Sequence, residues 1–430
     1  MLGDKVNKIL SQNLNFSFIL FFLLALALFV VRGPLRSVNN SADLTGPYLQ
    51  SFAWRHGCNP YQPAKILVEK FFPNANNGKG FNGGIYPPTT SLLMMPITYF
   101  HWDTAKKIWM MWTIFIFSVT MYFLGKQLII KFNNYGGLKL SFIVLLAFSP
   151  FHTGIALGQV SIIVICFMIL SFLFSLKNYI TLSGFLLALA VGLKPQLALF
   201  LVVFYLLRKK YRILTFFGAM YALIIISSEI YPVIIDGNQL GSSWTMWLKR
   251  VFAGYGVTGG ERFLYDDIDK FSTLNIQVLV SQFFHNSFAV KTISFTIYIS
   301  MILFFIYFYF NNKKCDEFII FSLLSILILL PVYHRFYDAS LLIVPLLWSI
   351  LKVKKIKNEK KLSFLALLLL LFSVPGGTIL ILLTPRLPQI ISNSAIWNFI
   401  VLPHQVWILL ISYILMIFIM KHDRIQQVKV

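Results

Sequence analysis

Residues 16–31 read FSFILFFLLALALFVV, sixteen positions without a charge. The run predicts a membrane-spanning helix over 13–31, because about 20 residues at ~1.5 Å each cross a hydrocarbon layer of ~30 Å. Lys5 and Lys8 stand ahead of it, and the stretch behind it, VRGPLRS, offers no small-residue cleavage site. The run is therefore expected to stay as a first helix, with its N-terminus in the cytoplasm.

Working outward, the same pattern recurs along the whole chain. Of the 430 residues, 58% are hydrophobic and 12% charged, about half the charged share of soluble domains. That composition predicts an all-α polytopic membrane protein without a separate soluble domain. The net charge is +22. It is gathered in short stretches between apolar runs: KQLIIKFNNYGGLK, RKKYR, NNKK, KVKKIKNEKK and the tail KHDRIQQVKV. That distribution marks cytoplasmic loops that touch anionic lipid headgroups, and it argues against nucleic acid as a partner. Cys58, Cys166 and Cys315 are placed too differently to pair, so no disulfide framework or metal site is expected.

Alternating sides from the first helix gives expected spans at 13–31, 106–125, 138–156 and 159–176. Two short helices then flank Lys194 within 178–207. Further spans are expected at 213–235, 287–310, 317–333, 338–351, 362–383 and 402–420. About twelve helices result, with every short basic loop on one side. Two long segments, 32–105 and 236–285, fall on the other, outer side.

The outer side collects the informative polar residues. The first is Asp43, in SADLTGPYLQSFAWRHGCNPY, a polar and aromatic stretch unusual in so apolar a chain. It reads either as the cap of a short helix at 44–56 that ends at Gly57, or as a general base at the membrane surface. Lys194 lies within LALAVGLKPQLALFLVV. A lysine there either snorkels to the interface or has a task beside a helix broken by Pro195. PVYHRFYDASLL places Tyr333, His334, Arg335, Tyr337 and Asp338 at a helix junction. Arg335 and Asp338, three apart, read as a local ion pair, and His334 as an interfacial histidine; as a cluster facing Asp43 and Lys194 they read as part of a site. Trp244, Trp247, Tyr255 and Tyr265 form an aromatic belt or stack on sugar rings. Asp266, Asp267 and Asp269 read as a solvated loop or as ligands of a divalent metal.

The ordered set ADLTGPYLQSFAWRHGCNPY, GGIYPPTTSLLMMPI, ALGQVSIIVICFMIL, GFLLALAVGLKPQLALFLVVFYLLRKKYR and YHRFYDASLLIVPLL resembles glycosyltransferase family 87 over about residues 10 to 350. That family includes polyprenyl-phosphate-mannose-dependent α-mannosyltransferases. The resemblance implies a GT-C-type fold over 1–430 as a single transmembrane domain. It also implies an inverting transfer on the outer face, with the essential aspartate of the first outer loop at Asp43. The family's Gly-Gln falls on Gly158 and Gln159, and its Lys-Pro on Lys194 and Pro195. The mannosyltransferase branch often carries a Ser/Trp/His-rich segment where this chain has YHRFYD, which leaves the sugar and the acceptor open.

The expected function is thus a plasma-membrane glycosyltransferase that moves a sugar, mannose or another hexose, from a polyprenyl-phosphate donor to an envelope glycan or glycolipid. Asp43 is the expected base, and Lys194, His334 and Arg335 are expected at the donor phosphate. Substrate contacts are expected at Tyr48, Tyr86, Gln159, Asn275, Tyr333 and Asp338. Cations can stabilise the leaving phosphate, so no metal or other cofactor is expected. The rivals are a transporter or flippase, for which intramembrane charge is too sparse and repeats are not visible, and a non-catalytic subunit of a glycan-assembly complex.

Overall fold

The structure is a computed structural model that describes residues 2–72, 86–133, 135–236, 240–254, 273–284, 286–312, 315–331, 334–355 and 360–428. Those residues are overwhelmingly helical, and their only strand-like pairing is an isolated bridge between Thr273 and Arg335. The all-α polytopic class is as the apolar runs require, and each of the twelve expected stretches contains helix among the described residues.

The lengths differ from the expectation. Among the described residues, six helices are long and apolar enough to cross a membrane: Phe16–Asn39, Trp102–Phe132, Tyr211–Ile235, Phe288–Asn311, Phe336–Val353 and His404–Lys421. A seventh arises if Lys360–Ser373 and Gly376–Arg386, bent by 56°, count as one span. Twelve full spans are not reached because several expected ones are short or interrupted. Val160–Leu176, Ile180–Leu193, Pro195–Leu207 and Glu317–Ile328 have 17, 14, 13 and 12 residues. At ~1.5 Å per residue they reach about 18–25 Å. The 138–156 stretch is split at Phe148 into Tyr135–Ala147 and Ser149–Leu157.

The break at Lys194 follows from Pro195. The ring of a proline disfavours helical backbone in the residue before it, and Lys194 sits at φ −152°, ψ 81°, well outside the helix. The helix that ends there leaves its last carbonyls open. Two are taken up: Thr89 Oγ1 donates to the Gly192 carbonyl at 2.7 Å, and Thr90 Oγ1 to that of Leu193 at 2.9 Å. The threonines of YPPTT thus finish the broken helix.

Of the short helices, Val160–Leu176 and Glu317–Ile328 lie inside, while Ile180–Leu193 and Pro195–Leu207 leave Leu182, Phe185, Leu199, Val203 and Leu206 exposed. Val160–Leu176 buries 14 of its 17 residues, so it is apolar all round, as a helix sheathed by other helices must be. Phe172 packs edge to face against Phe204 and Phe318 and tilted against Phe321, and the Tyr205 hydroxyl joins Ser171 at 2.8 Å and Ser183 at 3.0 Å. One buried apolar cluster runs from Phe29 to Met420. Three of the longer helices, Phe16–Asn39, Tyr211–Ile235 and Phe288–Asn311, leave side chains such as Phe21, Leu24, Ile226, Phe295 and Leu303 exposed, a surface fit for lipid tails.

One end of the inner helices is ionic. Lys131 pairs with Asp316 at 2.9 Å, and Lys210 with Glu317 at 3.1 Å while also donating to the Ser175 carbonyl at 3.2 Å. Basic loops far apart in sequence therefore meet at one end, as the charge pattern predicts. Gln159 stands at the opposite end of the Val160–Leu176 helix, about 25 Å away.

Candidate active site

Asp43 lies in a tight turn, Ala42–Leu44, entered through Ser41 at φ 40°. The turn is pinned from two sides: Ser41 Oγ donates to the Ser37 carbonyl at 2.7 Å, and Ser41 N–H to that of Ala156 at 3.1 Å. Ala156 belongs to the last turn of Ser149–Leu157, which closes on Gly158 at φ +68°. A Cβ on Gly158 would lie 2.9 Å from that of Leu44, so only glycine tolerates both the backbone and the contact. Trp109 Nε1 holds the Gly158 carbonyl at 3.0 Å.

That close approach sets Gln159 beside Asp43. Gln159 Nε2 donates to Asp43 Oδ2 at 2.9 Å and to the Tyr337 hydroxyl oxygen at 2.7 Å. Its Oε1 receives longer contacts, from the Tyr86 hydroxyl at 3.4 Å, the Ser161 hydroxyl at 3.4 Å and the Ser161 N–H at 3.5 Å, and so caps the Val160–Leu176 helix. Gln159 is buried and Asp43 half-buried. The capping reading of Asp43 does not hold: the helix is Thr45–Arg55, its N-cap position is Leu44, and no side chain caps it. The helix does end at Gly57, at φ +68°. Burial pushes the Tyr86 hydroxyl well above its usual range, and the Asp43 and Asp338 carboxylates push it the same way. Tyr86 is therefore a donor throughout the physiological range.

Behind Gln159 the polar chain continues inward. Lys194, only 6% exposed, places Nζ 2.9 and 3.1 Å from the two oxygens of Asp338 and 2.7 Å from Ser161 Oγ. A lysine ammonium has three donors, and these contacts occupy them. Lys194 does not snorkel; it is half of a buried ion pair. Nor is Asp338 the local side-chain partner of Arg335 that the three-residue spacing suggests. It accepts the Arg335 backbone N–H at 3.2 Å and meets His334 Nδ1 at 3.0 Å. A carboxylate only accepts, so Nδ1 carries the proton, and the buried Nε2 finds no partner among the described residues. Arg335 stands half-buried at the rim, close enough for its charge to act on Tyr86.

Asp43, Tyr86, Gln159, Lys194, His334, Arg335 and Asp338 are thus brought together from five parts of the chain. Tyr48 is not among them. It is buried, with its hydroxyl on the Phe100 carbonyl at 2.9 Å and its ring 5.0 Å from Trp102. Asn275 adjoins the His334 turn, since Leu274 N–H donates to the His334 carbonyl at 2.9 Å, but its own side chain caps Ile276–Val280. Trp244 and Trp247 pack edge to face on Ser242–Gly254. Tyr333, Tyr255, Tyr265, Asp266, Asp267 and Asp269 lie outside the described residues. Ser161, which joins Lys194 to Gln159, escaped the sequence reading. Its signal was a hydroxyl two residues after Gln159 at the head of an otherwise apolar helix.

A half-buried carboxylate at the head of a buried polar chain, set among apolar helices, marks a candidate site in an integral-membrane protein. The model of glycosyltransferase family 87 matches residues 85–332, more than half of the chain, and the chain belongs to that family; it is a membrane glycosyltransferase. The match takes in Gln159, Ser161 and Lys194 and stops short of Asp43 and of the His334–Asp338 turn. No curated protein and no solved structure matches the chain.

Proposed function

We propose that this glycosyltransferase transfers a hexose, with mannose the leading candidate, from a polyprenyl-phosphate donor to an envelope glycan or glycolipid. The transfer takes place on the outer face of the plasma membrane, inverts the anomeric centre and uses Asp43 as the base. One observation carries the reading: the Asp43 carboxylate, half-buried, is held at 2.9 Å by Gln159 at the mouth of the polar chain. The acceptor oxygen attacks the anomeric carbon, its proton passes to Asp43, and the bond to the lipid phosphate breaks with the electron pair leaving on the phosphate. Arg335, the half-exposed cation, meets that developing charge, with His334 and Lys194 behind it. Tyr86 and Gln159 border the same space. The gathering of basic loops at the far end supports an outward-facing site. The large buried cluster that runs from Phe29 to Met420 supports one GT-C-like transmembrane domain.

The test is transfer of radiolabelled sugar from polyprenyl-phosphate mannose, glucose or arabinose in membranes with and without the protein, followed by Asp43→Asn. Asparagine can keep the Gln159 hydrogen bond but cannot take a proton. Activity should fall by about 10²–10⁴-fold with the fold intact; transfer within a few-fold of wild type rules out the base.

A further inference from the structure

The orientation of the Gln159 carboxamide is dictated by its surroundings. The Ser161 N–H can only donate, and it faces Oε1. The Asp43 carboxylate can only accept, and it faces Nε2. A flipped amide would set oxygen against carboxylate and N–H against N–H, so one orientation survives. The donors then run in one direction without a break: Lys194 Nζ to Ser161 Oγ at 2.7 Å, Ser161 Oγ to Gln159 Oε1 at 3.4 Å, Gln159 Nε2 to Asp43 Oδ2 at 2.9 Å. The positive end of the chain is Lys194 and the negative end is Asp43. Hydrogen bonds aligned this way polarise one another in a buried, low-dielectric setting.

We propose that Gln159 is a positioning residue for Asp43, not a substrate contact: it fixes the carboxylate through Oδ2, leaves Oδ1 to receive the acceptor's proton, and passes the polarity of Lys194 to it through Ser161. The inference rests on the reading of Asp43 as the base. The ionisable groups around the pair are Tyr86 from the segment before Pro88–Met94, and Tyr337, Arg335, Asp338 and His334 from the 334–338 turn. Lys194 adds the break between the two short helices.

The experiment is sugar transfer from polyprenyl-phosphate mannose, glucose or arabinose by the purified full-length protein, with kcat and KM read separately. In Gln159→Leu the carboxylate loses the group that fixes it, so kcat should fall by about 10-fold or more while KM stays within about twofold. Ser161→Ala should lower kcat less, with KM likewise unmoved. Gln159→Glu, of equal size, sets a second carboxylate against Asp43 and should lower kcat at least as far; it also serves where the leucine variant fails to fold. A raised KM with an unmoved kcat in a folded Gln159 variant, or no change in either, overturns the positioning role. Asp43→Asn separates the two ideas: if it stays active, the base reading fails; if it is inactive while the Gln159 variants keep the wild-type kcat, only the role of Gln159 fails.

Discussion

Lys194 and Asp338, 144 residues apart, form an ion pair with N–O distances of 2.9 and 3.1 Å in the interior of the helix bundle. Two charges removed from water are tolerated only because each is matched, and removal of one leaves the other stranded. Lys194→Met should therefore cost about 3–5 kcal/mol, and Asp338→Leu a similar amount. The double variant should recover most of that loss while transfer stays impaired. Thermal unfolding in detergent is the measurement, and a double variant no better than the singles would count against the pair as the cause.

Gly158 should respond to an added methyl in the opposite sense from Gly218. At Gly158 the backbone is at φ +68° and a Cβ meets Leu44 at 2.9 Å; at Gly218, inside the Tyr211–Asp236 helix, a Cβ meets nothing within 4 Å. Gly158→Ala should destabilise by about 1–3 kcal/mol and pull the Asp43 turn off Gln159. Gly218→Ala should stabilise by up to ~1 kcal/mol through helix propensity alone. Melting temperatures of the two, side by side, check this.

Thr90 should matter more than Thr89. Its hydroxyl lies 2.9 Å from the Leu193 carbonyl and 3.2 Å from that of Gly192, whereas Thr89 reaches only Gly192. In Thr89→Val the neighbour can still cover Gly192. In Thr90→Val the Leu193 carbonyl is left open, at a cost of about 1–3 kcal/mol. The double variant should lose more than the sum of the singles, as read from unfolding midpoints.

Single cysteines at positions 75 and 258, in a chain whose native cysteines are replaced, should react with an impermeant maleimide added from outside. One at position 356 should react only after permeabilisation. The motive is the basic stretch 352–361, which belongs on the cytoplasmic side. The reverse labelling would put the site on the wrong face for a periplasmic or external acceptor.

Much of this was legible in the sequence, and what was not has physical causes. The apolar runs gave the helices, Pro195 gave the break, and Asp43 stood out because so few carboxylates interrupt so apolar a chain. The partner of Lys194 was hidden by distance. Asp338 had a plausible neighbour three residues away in Arg335, and nothing local reveals that the carboxylate turns inward instead. The cap was misjudged by one residue, because Asp43 sits in the tight Ala42–Leu44 turn and the helix starts only after it, with Leu44 at the cap position. The number of full spans was overestimated because an apolar stretch of 12–17 residues inside a protein bundle can fall well short of the lipid layer.

The shortness of those inner helices bears on how a greasy substrate meets a polar centre. A buried helix of about 18–25 Å, such as Glu317–Ile328 or Val160–Leu176, falls short of the surrounding hydrocarbon thickness of ~30 Å. The mismatch is absorbed within the protein, so the bilayer need not thin to accommodate it. A polar centre at the head of a helix that need not span the whole layer would let a long apolar tail stay among the lipids while its headgroup reaches the Asp43–Gln159 pair.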